Sequence, residues 1–138
     1  MIVAITNQSY MIYDFQNKIN IMSSFWHTFN FDQRLTESKR MKEKYDKYLP
    51  VIIKLVRNPY LQDNLPYLKE RKYLLNKRLK MRELADFLRK KLGLASEVNL
   101  NISINGVTLR GDTIWDSNIE DYYQTDGYQD GFLYIHYY

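Results

Sequence analysis

The last nine residues of the chain, 130–138, constrain its fold more than any other stretch. The run Phe132-Leu133-Tyr134-Ile135 is apolar and β-prone, and it follows a turn signal at Asp130-Gly131. An exposed edge strand of this character would invite aggregation. We therefore expect the final strand to lie in the middle of a sheet, with the other elements arranged around it.

The composition excludes several classes of function. The 138 residues are 45% hydrophobic, which suits one domain with one core. The absence of cysteine excludes disulfides, thiolate metal sites and cysteine nucleophiles. The glycines are scattered at turns, and His27 and His136 have no carboxylate or metal partner by spacing. We expect no catalytic residues, no cofactor and no metal, and therefore a protein that is not an enzyme.

The charge is distributed unevenly along the chain. Residues 31–92 carry 18 Lys and Arg against 8 Asp and Glu, whereas residues 93–138 carry one Arg against seven acids. No apolar run is long enough to span a bilayer, and the N-terminus lacks the pattern of a signal peptide. The basic segment suggests anionic partners, which include acidic peptides, phospholipid headgroups and nucleic acid.

The N-terminal part of the chain divides at about residue 21. Residues 1–21 are rich in apolar side chains but follow no sustained period. They are expected to form either a loosely docked or flexible extension, or an extra strand or docking segment. Ser23 or Ser24 is suited to cap a first short helix, with Phe25, Trp26 and Phe29 as its packing residues. A second helix is expected over about 31–47, because apolar residues recur there every three or four positions.

The rest of the chain, within a domain that we place at 22–138, alternates strand and helix patterns. Runs at 48–57 and 71–76 predict two strands joined as a hairpin. An apolar stripe over 79–92, ended by Gly93, predicts the clearest helix. Apolar and polar residues alternate over 99–104, which predicts a strand. The turn signal Asn105-Gly106 follows, and residues 107–109 are expected to continue the chain as a hairpin. Residues 113–123 suit a short helix. This order predicts an α+β fold of the β-grasp type, with a mixed four-stranded sheet and helices on one face.

Five short motifs, in this order and at nearly constant spacing, resemble the ubiquitin-like autophagy modifiers of the GABARAP and light-chain-three group. They are Phe31-Asp32-Gln33-Arg34, Tyr45 through Leu49-Pro50-Val51-Ile52, Arg71-Lys72-Tyr73-Leu74, Phe87-Leu88-Arg89-Lys90-Lys91-Leu92 and Asp130-Gly131-Phe132-Leu133-Tyr134-Ile135-His136-Tyr137. The resemblance implies a ubiquitin-like β-grasp with two additional N-terminal helices.

The resemblance also implies binding of linear motifs of the form aromatic-x-x-aliphatic. Such a peptide adds a strand to the open edge of the 71–76 strand and places side chains in two pockets. An aromatic set would be Glu37, Met41, Pro50, Lys72, Leu74 and Phe132. An aliphatic set would be Tyr73, Leu75, Leu79, Leu84 and Phe87. Acidic residues flanking the motif would meet Arg71, Lys72 and Lys91.

Several residues depart from the family pattern. Tyr48 stands where the family has an Arg beside the peptide site. Glu70 stands where the family has a basic residue, and Asn76 where it has a Pro. We therefore expect either a different motif preference or weak motif binding. Family precursors continue to a Gly that is conjugated to phosphatidylethanolamine, whereas this sequence ends at Tyr138, so lipidation is expected only if a Gly follows in the full gene product.

These inferences lead to one favoured function and two alternatives. The favoured function is a monomeric, cytoplasmic adaptor that binds motif-bearing proteins and, if lipidated by the conjugation machinery, associates with autophagosomal or vesicle membranes. One alternative is an unlipidated scaffold whose N-terminal segment occupies the peptide groove. The other is a basic module that binds nucleic acid or anionic membranes, and of its ligands nucleic acid is the less favoured.

Overall fold

The computed structural model describes residues 2–5, 10–13, 29–56, 65–104, 107–126 and 130–138. The first predicted helix, after Ser23, lies outside the described residues. The elements are β1 (Ile2–Ile5), β2 (Tyr10–Tyr13), α1 (Phe31–Lys44), β3 (Tyr48–Leu55), β4 (Lys72–Asn76), α2 (Met81–Leu92), β5 (Ile102–Ile104), β6 (Val107–Thr108), a 3₁₀ helix (Asp112–Asp116), α3 (Ile119–Asp126) and β7 (Leu133–Tyr137).

The described strands form one mixed sheet in the order β2-β1-β4-β3-β7-β5-β6. The final strand, β7, lies between β3, to which it is parallel, and β5, to which it is antiparallel. Its predicted central position is confirmed, as is the antiparallel hairpin of β3 and β4. The predicted α+β class is also confirmed, since the described helices accompany one mixed sheet.

The predicted count of four strands is wrong, because strands are added at both ends of the sheet. At one end β6 pairs with β5 across the Asn105-Gly106 turn signal, so the hairpin continues as a separate strand. At the other end β1 and β2 form an antiparallel hairpin, and β1 pairs in parallel with β4. Residues 2–5 and 10–13, within the predicted extension 1–21, are thus strands of the sheet.

The prediction of helices on one face of the sheet is also wrong. Side chains of β3 and β4 alternate between two apolar clusters, and the larger one contains Leu84, Phe87 and Leu88 of α2. The smaller cluster contains Met41 of α1 together with Leu74 and Phe132. The two helices therefore cover opposite faces, and the central strands have few polar positions because both of their faces are buried.

Both long helices have local sequence reasons for their ends. At the start of α1, the Asn30 side chain accepts from the Gln33 N–H, and the Gln33 side chain accepts from the Asn30 N–H, at 2.9 Å each. At the end of α2, Gly93 adopts a left-handed φ of 66°, as the stop signal predicted. These caps fix where α1 begins and where α2 ends, on opposite faces of β4.

Asp130 joins the start of β7 to α1. Its carboxylate accepts hydrogen bonds from Arg34 Nε at 3.0 Å and from the Tyr134 hydroxyl at 2.6 Å, and its carbonyl accepts one from the Ser38 hydroxyl at 2.5 Å. The Phe132 N–H also donates to this carboxylate, at 3.0 Å. The network therefore fixes the position of Phe132 against α1.

Candidate functional site

The residues of the aromatic set come together on the α1 face of β4. Met41, Leu74 and Phe132 are fully buried in the smaller apolar cluster. Pro50 is buried and is the register partner of Leu74 across β3 and β4. Glu37 and Lys72 form an ion pair on this face, with 3.4 Å between Lys72 Nζ and Glu37 Oε1.

The residues of the aliphatic set come together on the opposite, α2 face. Tyr73, Leu75, Leu79, Leu84 and Phe87 all belong to the larger apolar cluster. The Tyr73 ring meets the Phe87 ring edge to face, with 6.2 Å between their centroids. The Tyr73 hydroxyl donates to the Glu70 carbonyl at 3.0 Å, and burial raises the pKa of this hydroxyl well above its usual range. Tyr73 is therefore a neutral packing residue at any physiological pH.

The division of the two sets between faces has a direct consequence for peptide recognition. Successive side chains of an extended chain point to opposite faces, so positions i and i+3 also lie on opposite faces. A peptide paired with β4 would then present an aromatic residue to one set and an aliphatic residue, three positions later, to the other. An extended chain beside β4 would therefore place residues three positions apart on the two faces that carry these sets.

Opposing charges are balanced at the margin of the aromatic set. Burial acts to raise the pKa of Glu37, but hydrogen bonds from Arg40 at 2.8 and 3.1 Å and the nearby Lys72 outweigh it, so the pKa lies below its ordinary value. Burial lowers the pKa of Lys72, and the attraction of Glu37 only partly opposes this. Lys72 is thus a desolvated cation that depends on an acidic partner.

A cleft of about 370 Å³ opens beside this ion pair. Its described lining comprises Phe29, Asn30, Asp32, Gln33, Thr36, Glu37 and Lys72. Sequence reasoning predicted only the last two as site residues. The capping-box pattern of Asn30 and Gln33 gave a signal for the start of α1, but no pattern in the sequence places that helix end next to β4.

The remaining predicted residues surround the two sets. Tyr48 packs against the smaller cluster and lines a second cleft, of about 300 Å³, together with Lys42, Asp46, Leu49, Lys77, Glu120 and Tyr123. Arg71 immediately precedes β4 and is half-buried, and Lys91 is exposed in the last turn of α2. Arg34, Ser38 and Asp130 were not predicted as a group, because they are far apart in sequence.

The outer edge of β4 is occupied by the chain itself. Val3, Ala4 and Ile5 of β1 are the parallel register partners of Tyr73, Leu74 and Leu75. The prediction of an open edge on the 71–76 strand is therefore wrong, because β1 pairs with that edge. Strand β2 takes the outermost position at that end of the described sheet.

The family model described as "Autophagy protein Atg8 ubiquitin like" matches residues 33–138. The chain belongs to the Atg8 family. Autophagy-related protein 8 of Vanderwaltozyma polyspora is 32% identical over 115 residues, covering 83% of this chain and 91% of that protein. Autophagy-related protein 8 of Schizosaccharomyces pombe is 30% identical over 115 residues, covering 83% and 88%.

A solved Atg8 structure agrees with the fold. The crystal structure of Trypanosoma brucei ATG8 aligns with a TM-score of 0.72 and 25% identity, covering 83% of this chain and 92% of that one. The chain is thus an Atg8-like, ubiquitin-like autophagy protein. None of the helices among its described residues is long and apolar enough to cross a membrane. The family match begins at residue 33, so β1 and β2 lie outside it.

Proposed function

We propose that this Atg8 family protein is an adaptor that binds aromatic-x-x-aliphatic linear motifs by β-augmentation at β4. The observation that carries the proposal is the presence of two separate apolar clusters on opposite faces of one strand. A motif in extended conformation that takes the place of β1 on β4 pairs its backbone with that strand and places side chains against both clusters. Affinity then comes largely from the strand pairing and specificity from the two clusters.

The charged residues select the sequence that flanks the motif. Lys72 is buried and attracted to Glu37, so an acidic residue next to the motif's aromatic position competes for the same ammonium group. Glu70, at the approach to β4, carries a buried carboxylate oxygen with no hydrogen-bond partner among the described residues. An acidic residue is disfavoured near Glu70, so this chain selects motifs with a narrower acidic flank than the resemblance implies.

A peptide titration tests the proposal. A ¹⁵N-labelled sample of the full chain is titrated with a motif peptide carrying an acidic flank, and shifts are expected first at Lys72, Leu74 and Leu75. A matched peptide, with Ala at both the aromatic and the aliphatic position, should leave these amides unmoved. Absence of any perturbation at millimolar motif peptide, in a folded sample, contradicts the proposal.

A variant pair tests the charge contribution. Lys72→Ala is expected to weaken binding of the acid-flanked peptide several-fold, because a desolvated ion pair at a binding site contributes more than an exposed one. Lys39→Ala removes an exposed lysine from α1 and should change the affinity little. If the two substitutions weaken peptide binding equally, the peptide is attracted by the overall positive charge and Lys72 has no specific role.

Lipidation is the second part of the proposal. If a Gly follows Tyr138 in the gene product, the conjugation machinery joins this Gly to phosphatidylethanolamine, and the adaptor is carried on autophagosomal or vesicle membranes. Its support is membership of the Atg8 family. Mass spectrometry of the chain isolated from cell membranes, with and without phospholipase treatment, tests whether a lipid adduct forms. A chain of unmodified mass in the membrane fraction contradicts it.

A further inference from the structure

The hairpin of β1 and β2 lies outside the residues that the family model matches, and it covers the proposed motif-binding edge. Four register pairs join β1 to β2, and three join β1 to β4 in parallel. The family match starts only at residue 33. The hairpin thus occupies the position that an added peptide strand would take, and it comes from a part of the chain outside the matched domain.

The sequence of β1 resembles the motif in its spacing. Ile2 and Ile5 of Ile2-Val3-Ala4-Ile5 are three positions apart, as are the aromatic and aliphatic residues of the motif. The register brings Ile5 to Leu75 of the aliphatic set. Continued by one residue beyond Val3, it brings Ile2 to Lys72 of the aromatic set. If a motif binds in the register of β1, its aromatic residue takes the position of Ile2, where a larger ring would bury more apolar area.

We propose that β1 is an intramolecular ligand of the motif-binding edge, and that a partner motif binds by displacing it. This inference rests on the proposed function of β4. Seventeen residues separate Tyr13 from Phe31, so the hairpin remains tethered to the domain when it leaves β4. Covalent attachment to the domain gives β1 an effective concentration on the order of millimolar, which a motif with a true aromatic residue can overcome.

Competition of this kind reduces the apparent affinity for every motif. The measured dissociation constant equals the intrinsic one divided by the fraction of molecules in which β4 is uncovered. If about one molecule in ten or fewer is open, removal of β1 tightens the measured affinity by about tenfold or more. The site is then selective for motifs that bind strongly or are presented in several copies.

The test uses substitutions at Ala4 in the full chain. Ala4→Pro removes a backbone donor from a strand that has neighbours on both sides, so it should release β1. Ala4→Val, at the same position, keeps the donor and favours the strand. Motif-peptide affinity is expected to be about tenfold or more tighter in Ala4→Pro than in wild type, and unchanged in Ala4→Val. Equal measurable affinity in all three chains would overturn the proposal.

A second variant and a second measurement distinguish release of β1 from loss of the whole fold. Ala4→Asp keeps the backbone donor and places a charge in β1, so it should act in the same direction as Ala4→Pro. In both variants, hydrogen exchange of the β4 amides without peptide should be faster than in wild type. Loss of cooperative unfolding in both would show that β1 is an integral part of the domain, and would overturn the proposal.

A peptide added in trans separates this inference from the proposed function. A synthetic peptide of residues 1–14 should shift the β4 amides of Ala4→Pro but not those of wild type, whose edge is already paired. If it does so while no motif peptide binds any variant, the internal ligand stands and the proposed function fails. If motif peptides bind but the residues 1–14 peptide leaves Ala4→Pro unchanged, the proposed function stands and the internal ligand fails.

Discussion

Buried polar contacts at single residues hold the aromatic set in place, and Arg34 with Asp130 is the main example. The side chains of this pair are 6% and 1% exposed. Arg34→Ala leaves the Asp130 carboxylate without its buried cation, so we expect a loss of about 3–5 kcal/mol in the free energy of unfolding. Arg82 and Asp116 form an ion pair whose side chains are 59% and 65% exposed, and Arg82→Ala should cost no more than about 1 kcal/mol. Denaturant unfolding of both variants checks the difference, and equal losses would contradict it.

Gly131 is required both by its backbone angle and by its neighbour. Its φ is +86°, and a Cβ there would overlap the Ser38 side chain. Gly111, with φ +100°, has open space where a Cβ would stand, so Gly111→Ala reports backbone strain alone. We expect about 1–3 kcal/mol of destabilisation at Gly111 and more at Gly131. In chemical denaturation, a smaller loss for Gly131→Ala than for Gly111→Ala would contradict the steric argument.

The charges around Lys72 predict opposite effects of two neighbouring substitutions. Glu37→Gln removes the attraction that partly offsets burial, so the pKa of Lys72 should fall further below its ordinary value of 10.5. Arg40→Gln removes a like charge that also depresses this pKa, so the pKa of Lys72 should rise. An NMR titration of the Lys72 side chain measures both shifts. Shifts of the same sign would contradict this account of the ion pair.

At the scale of the elements, resistance to opening should follow position in the sheet. Strand β7 is paired on both sides and is almost wholly buried, and β3 beside it is similarly covered. The β1–β2 hairpin is attached to the rest of the sheet by one parallel ladder of three register pairs. Hydrogen exchange should therefore be slowest in β7 and β3 and fastest in β1 and β2. Protection of β1 equal to that of β7 would contradict both this order and the displaceable hairpin.

At the scale of the whole molecule, the separation of charge predicts how binding responds to salt. Residues 31–92 have a strong excess of basic residues, and residues 93–138 an excess of acidic ones. The affinity of an acid-flanked motif peptide should decrease moderately between about 50 and about 200 mM salt. Only the contacts of its acidic flank with basic residues are weakened by salt. A peptide with neutral flanks should respond little.

The same salt series distinguishes the alternative of a general anion binder. A single-stranded oligonucleotide should bind weakly, and its binding should be lost at the higher salt. If the oligonucleotide binds more tightly than the motif peptide at both salt concentrations, measured by fluorescence anisotropy, nucleic-acid or anionic-surface binding becomes the better function.

The local signals in the sequence determined much of the architecture. The apolar final strand, the stripe of α2 and the glycine at position 93 depend on neighbours within a few residues, so they can be recognised in the chain itself. The ordered motifs also indicated the family and most residues near β4. Their grouping into two sets followed from the resemblance, not from periodicity.

Only the tertiary structure decided which face each helix covers and what lies on the outer edge of β4. The sequence of β3 and β4 is apolar on both faces, so it does not distinguish helices on one side from helices on two. Residues 2–5 and 72–76 are far apart along the chain, and their pairing depends on backbone hydrogen bonds, which every residue except proline can offer. Long-range strand pairing and the buried contacts of Asp130 leave no periodic trace in the sequence, so only the folded chain reveals them.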